Sequence, residues 1–116
     1  MIFEQWIQNK PLDRIRTMRP FKHPDPSDFV LEHVLHALSD PIRLEMVRRL
    51  AQVAEASCGE LNGDRPKSSM SHHFRVLRDA GLVCTYGMGT THMNSLRWDD
   101  MENRFPGLLK AVLGQV

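Results

Sequence analysis

The chain has 116 residues, 41% hydrophobic and 25% charged, which suits one globular domain large enough to hold together without disulfides or a metal. Fifteen Lys and Arg against fourteen Asp and Glu leave a net charge of +1, which taken alone argues against a protein that neutralises phosphates with bulk charge. No apolar run approaches the roughly 18 residues of a membrane span, Met1 to Lys10 lacks the pattern of an export signal, and Cys58 and Cys84 make no disulfide framework, so a cytoplasmic protein is expected.

Residues 1–27 read as an N-terminal arm, distinct from a domain over 28–116. Pro11, Pro20, Pro24 and Pro26 exclude a long regular helix, and between Lys10 and Lys22 five basic residues face Asp13 alone. Phe3, Trp6 and Ile7 can form an apolar turn that docks on the body or on a partner subunit; the alternative is a disordered leader.

From Ser27 the helical signals strengthen. Ser27 or Asp28 is positioned to cap a first helix over about 28–38, whose Leu31, Val34, Leu35 and Leu38 form one apolar stripe. Asp40 followed by Pro41 is a helix start, because the carboxylate accepts from free backbone N–H groups and proline lacks a donor where none is needed. The helix that follows gathers Glu45, Arg48, Arg49 and Gln52 in a narrow polar arc and is otherwise apolar, which places it inside a bundle.

Residues 57–66 admit a short helix at most, since Asn62-Gly63 and Pro66 interrupt a longer one. Lys67 to Ala80 is amphipathic, with Met70, Phe74 and Leu77 inward and Gly81 as the left-handed C-cap. Ser68, His72, Arg75 and Asp79 point most nearly outward, with Ser69 and Ser71 on the shoulders. His73 lies near the apolar stripe and is expected to pack.

After Gly81 the period changes. Leu82 to Tyr86 and Thr90 to Leu96 are strand-compatible, and Gly87-Met88-Gly89 between them predicts a hairpin tip. Asp99 with Glu102 suggests a capping box, and Pro106 opens a last apolar helix containing Phe105, Leu108, Leu109, Val112, Leu113 and Val116.

This order is a mainly α winged helix-turn-helix: a helical core with a two-stranded β-hairpin wing. In that geometry the helix after the turn enters the major groove and the ribbon tip rides on the neighbouring backbone. The runs LSDPIRLEMVRRL, KSSMSHHFRVLRDAGLV and NSLRWDDMENRFPGLLKAVL resemble the ArsR/SmtB-type bacterial repressors over about residues 29–114. The resemblance implies a homodimeric transcriptional repressor, joined through its first and last helices, that binds double-stranded operator DNA and is released by an effector. The apolar stripes at 31–38 and 105–116 fit such a seam.

Lys67, Ser68, Ser69, Ser71, His72 and Arg75 are the expected DNA contacts on the helix, with Thr90 and His92 on the wing. Between Arg65 and Arg97, five basic residues (Arg65, Lys67, Arg75, Arg78 and Arg97) face Asp79 alone, so the balanced total conceals a basic reading head.

No metal or cofactor is expected. The paired cysteines or last-helix ligands that the resemblance associates with metal sensing are missing: Cys58 stands alone and no His follows His92. His33 and His36 sharing a metal across a dimer, or oxidation of Cys58 and Cys84, are alternatives to an ordinary surface and to packing thiols. An enzyme is not expected, because Ser71, His72 and His73 project about 100° apart and cannot form a relay. The rival to DNA binding is a winged-helix adaptor for protein partners.

Overall fold

The computed structural model describes residues 18–114. The docking turn proposed at Phe3, Trp6 and Ile7 lies outside them, as does Val116.

Helix α1 spans Leu31–Leu38. It starts later than expected because Ser27 and Asp28 belong to a separate 3-10 turn, Pro26–Asp28, after which Phe29 is extended. Neither side chain caps α1, whose N-cap position is Val30. The extended step lets Phe29 enter the core, where it is 4% exposed; burial of an aromatic ring outweighs a cap worth about 1 kcal/mol.

Helix α2, Pro41–Leu50, starts as the sequence predicts: Asp40 Oδ2 accepts from Ile42 N at 2.9 Å and Arg43 N at 3.0 Å. Its Met46, Val47 and Leu50 are buried, and it packs against α1, a second amphipathic helix and the sheet. Arg43, 6% exposed, ties these elements together. Its guanidinium donates to the carbonyls of Ala37 (2.8 Å) and His36 (3.1 Å) at the end of α1, where carbonyls lack the partner of a following turn; the His36 carbonyl also accepts from Ser39.

Helix α3, Cys58–Asn62, is short but capped at its N-terminus. Glu60 N donates to Ser57 Oγ while Ser57 N donates to the Glu60 carboxylate, a reciprocal capping box. Helix α4, Lys67–Ala80, buries Met70, Phe74, Leu77 and Ala80 and ends at Gly81. Gly81 has φ 90°, and a Cβ there would collide with the Phe29 ring, so both backbone and packing require glycine.

Four short strands form one antiparallel sheet in the order β1-β3-β4-β2. The hairpin is β3, Val83–Met88, with β4, Thr91–Leu96. Met88 pairs with Thr91, so the tip is Gly89-Thr90 and not Gly87-Met88-Gly89; Gly89 alone supplies the positive φ, 61°, that a two-residue turn with glycine first requires. Strand β1, Met18–Pro20, pairs with the outer edge of β3, and β2, Ala56–Ser57, with β4. The expected two-stranded wing is therefore the centre of a wider sheet.

Polar side chains hold that sheet together. Thr85 Oγ1 donates to Asn94 Oδ1 at 2.7 Å, and Asn94 Nδ2 donates to Ala56 O at 3.2 Å. Thr85 N donates to His23 Nε2 at 2.9 Å; burial, with Arg97 and Arg78 nearby, lowers the His23 pKa to about 4, so the imidazole accepts as a neutral ring.

Helix α5, Trp98–Arg104, has Arg97 at its N-cap and no side-chain cap. The predicted Asp99–Glu102 box does not form, because Glu102 instead accepts from Gly107 N at 3.2 Å. Helix α6, Leu108–Leu113, starts after Gly107, two residues beyond Pro106. Leu109 and Leu113 join the core formed by α1, α2, α4 and the sheet.

Candidate nucleic-acid interface

Helix α4 is positioned from its inner face outward. Met70, Phe74 and Leu77 fix its rotation in the core. His73 fixes its edge: the side chain is 14% exposed, Arg43 Nη1 lies 3.3 Å from Nδ1, and Asp40 Oδ2 is 3.9 Å away. Desolvation lowers the His73 pKa, which makes Nδ1 an acceptor for Arg43. This matches the expectation that His73 packs.

With that rotation set, Lys67, Ser68, Ser69, Ser71, His72 and Arg75 are all exposed. Two of the hydroxyls are engaged locally: Ser69 Oγ donates to Pro66 O at 2.9 Å and Ser71 Oγ to Lys67 O at 3.0 Å. The first two turns thus present short side chains that let the backbone approach another surface closely. Thr90 and His92 are exposed at the wing, and His92 packs edge-on against Phe21 with centroids 4.9 Å apart.

Arg19 is a wing residue that sequence reasoning did not single out. Its Nη2 donates to Gly89 O at 2.6 Å, which places a guanidinium at the hairpin tip. The only advance signal was its place among the basic residues between Lys10 and Lys22; its bond to Gly89 spans 70 residues and leaves no local pattern.

The basic reading head needs one correction. Arg97 is 4% exposed; its Nε donates to Asp100 Oδ2 at 3.1 Å, its Nη1 donates to Pro24 O at 3.0 Å, and it lies over the Phe29 ring at 4.9 Å. It is an internal strut, not surface charge. Arg78 is partly buried, with its guanidinium 4.8 Å over the Phe21 ring. The exposed cations are Arg65, Lys67 and Arg75, supplemented by Arg19.

The thiols do not have the setting of reactive thiolates. Burial pushes the Cys58 thiol up, against the lowered pKa that peroxide chemistry favours, and Cys84 is buried. His33 and His36 are exposed beside Val76 and Asp79 of α4. Among the described residues no group of three His, Cys, Asp or Glu is arranged to hold a metal ion, and no helix is long and apolar enough to cross a membrane.

Comparison with known proteins gives the same picture. Residues 38–84, which run from the end of α1 through α4 into the wing, match the family model for a helix-turn-helix domain. The chain is 37% identical over 89 residues to the uncharacterised HTH-type transcriptional regulator YceK of Bacillus subtilis (strain 168), covering 73% of this chain and 88% of that protein. Its fold matches the crystal structure of an ArsR family transcriptional regulator with a TM-score of 0.60 at 24% identity, over 70% of this chain and 90% of that one. The chain therefore belongs to the helix-turn-helix transcriptional regulators, with the winged fold of the ArsR type, and is a DNA-binding regulator of transcription.

Proposed function

We propose that the protein is a homodimeric repressor that reads operator DNA with the outer face of α4 and is released by an effector. The observation that carries the reading is the union of two exposed surfaces: the small side chains at the start of α4 and the wing tip bearing Arg19, Thr90 and His92. Ser68, Ser69, Ser71 and His72 would contact base edges. Lys67 and Arg75 would bind phosphates or guanine edges, and Thr90 and His92 the backbone beside the groove. The work of such a protein is recognition, and nothing in this reading calls for catalysis.

Dimerisation draws support from α1. Val34, Ala37 and Leu38 are turned into the core, while Val30, Leu31 and Leu35 are 36%, 41% and 46% exposed. A symmetric partner would cover this apolar ridge and space two reading helices for successive major grooves. Sedimentation equilibrium is expected to show a dimer, with Leu35→Glu shifting it to monomer. Fluorescence anisotropy with the promoter of the protein's own gene tests the whole reading: affinity should exceed that for random DNA and fall steeply with salt. Equal and negligible affinity for both DNAs would favour a protein-interaction adaptor.

A further inference from the structure

A cleft of about 230 Å³ separates the wing from the helix-turn-helix. Its walls come from four parts of the chain: Phe21 after β1, Asn62 at the end of α3, Lys67, Phe74 and Arg78 on α4, and His92 on β4. Asn62, Lys67 and His92 also line a neighbouring hollow that reaches Thr90 and Thr91 of the wing tip.

Two residues that line this cleft are chemically incomplete. Asn62 Oδ1 is buried with no hydrogen-bond partner among the described residues. A buried acceptor left in that state costs roughly 1 to 3 kcal/mol. Arg78, half-withdrawn from solvent, rests on the Phe21 ring and makes no hydrogen bond or ion pair among the described residues. Desolvation pushes its pKa below the ordinary value, against the opposing pull of Asp79 next to it. Phe74, 4% exposed, and Phe21 supply apolar walls.

An acceptor without a donor, a cation without a direct ion-pair partner and two aromatic walls define their complement. An engineered cavity of about 150 Å³ accommodates benzene, so this cleft admits one ring with small substituents. We propose that it binds a small aromatic carboxylate carrying a hydrogen-bond donor, with the carboxylate on Arg78 and Lys67 and the donor on Asn62 Oδ1 once that amide turns toward the cleft, and that this anion weakens DNA binding. The second half rests on the DNA-reading role proposed above. A bound anion would engage Lys67 and His92 and place negative charge beside the path of the phosphates. The coupling must be reciprocal, with DNA weakening the anion to the same degree.

The test titrates the ¹⁵N-labelled, DNA-free protein with para-hydroxybenzoate and follows its amide resonances. Expected are shifts concentrated at Asn62, Lys67, Arg78 and His92 with millimolar or tighter affinity, several-fold weaker binding of benzoate, and at least tenfold weaker binding to Arg78→Gln. If that variant fails to fold, the benzoate comparison still decides whether the donor matters. Absence of cleft shifts at tens of millimolar, or equal binding of benzoate, would overturn the site. Shifts at Asn62 and Arg78, which the DNA reading leaves without a contact, produced by duplex DNA alone would make the cleft a seat for a backbone phosphate and would also overturn it. Saturating para-hydroxybenzoate should lower promoter affinity at least several-fold; unchanged affinity sinks the effector role. Binding of the anion by a protein with no salt-dependent DNA affinity would support the site while removing the DNA reading.

Discussion

The outer face of α4 and the base of the wing are both polar, yet their polar groups are bonded in opposite ways. On α4 the exposed hydroxyls of Ser69 and Ser71 bond only to carbonyls of their own first turn, and Ser68, His72 and Arg75 are exposed. At the wing base Arg97, Asp100, Thr85 and Asn94 are buried and bonded to one another in pairs, and Arg97 and Asn94 also reach the carbonyls of Pro24 and Ala56, far away in sequence. Side chains without tertiary obligations are available for recognition, whereas those of the wing base hold the recognising parts in place. Substitutions in the two regions should therefore separate stability from binding.

The largest effect is expected from Arg97→Ala. It leaves Asp100 with an 11% exposed side chain and no cation, and breaking a buried pair costs about 3 kcal/mol or more; urea unfolding should show this loss. If stability changed by less than about 0.5 kcal/mol, the distinction between the regions would fail. Gly81→Ala comes next. Its left-handed backbone costs roughly 1 to 2 kcal/mol and displacement of the Phe29 ring a similar amount or more, so the thermal midpoint should drop well below that of wild type. Both variants should keep normal promoter affinity in the fraction that remains folded.

Arg75→Ala should do the reverse. Unfolding should be unchanged within about 0.5 kcal/mol, while promoter affinity falls about tenfold and the slope of log K against log salt decreases by about one, as for one lost phosphate contact. An unchanged affinity and slope would remove Arg75 from the interface. The smallest effect is at Asp40, whose carboxyl is held below its ordinary 3.8, chiefly by the Arg43 N–H. Asp40→Ala should cost about 1 kcal/mol at neutral pH. Because the folded pKa is lowered, the wild-type contribution is complete above the ordinary value and is lost as pH falls through the folded one. The gap between wild type and variant should close in acid.

Local bonding was legible in the sequence and distant bonding was not. Asp40-Pro41, the Gly81 cap and the inward positions of α4 each follow from a few adjacent residues. The wing tip was displaced because Gly87-Met88-Gly89 contains two glycines, and only the pairing of Met88 with Thr91 decides between them. The cap expected at Ser27 or Asp28 yielded to burial of Phe29, a tertiary gain that no capping rule contains. Arg97 was counted as surface charge because a charge sum carries no information on burial, although Asp100 three residues later was a visible partner. The candidate contacts on α4 could be read from helical spacing alone, whereas Arg19 reached the wing tip through a strand pairing with no local signature.

The bonded hydroxyls of α4 also limit what this helix can say to a base pair. A hydroxyl whose hydrogen is committed to a carbonyl retains lone pairs and can only accept. On the proposed reading, Ser69 and Ser71 would thus be matched in the major groove to the amino groups of cytosine and adenine, and Lys67 and Arg75 to the oxygen and ring nitrogen of guanine. For either serine to address a guanine edge it would have to break a bond to its own helix, so in the proposed role the face would carry a built-in bias in the alphabet it prefers.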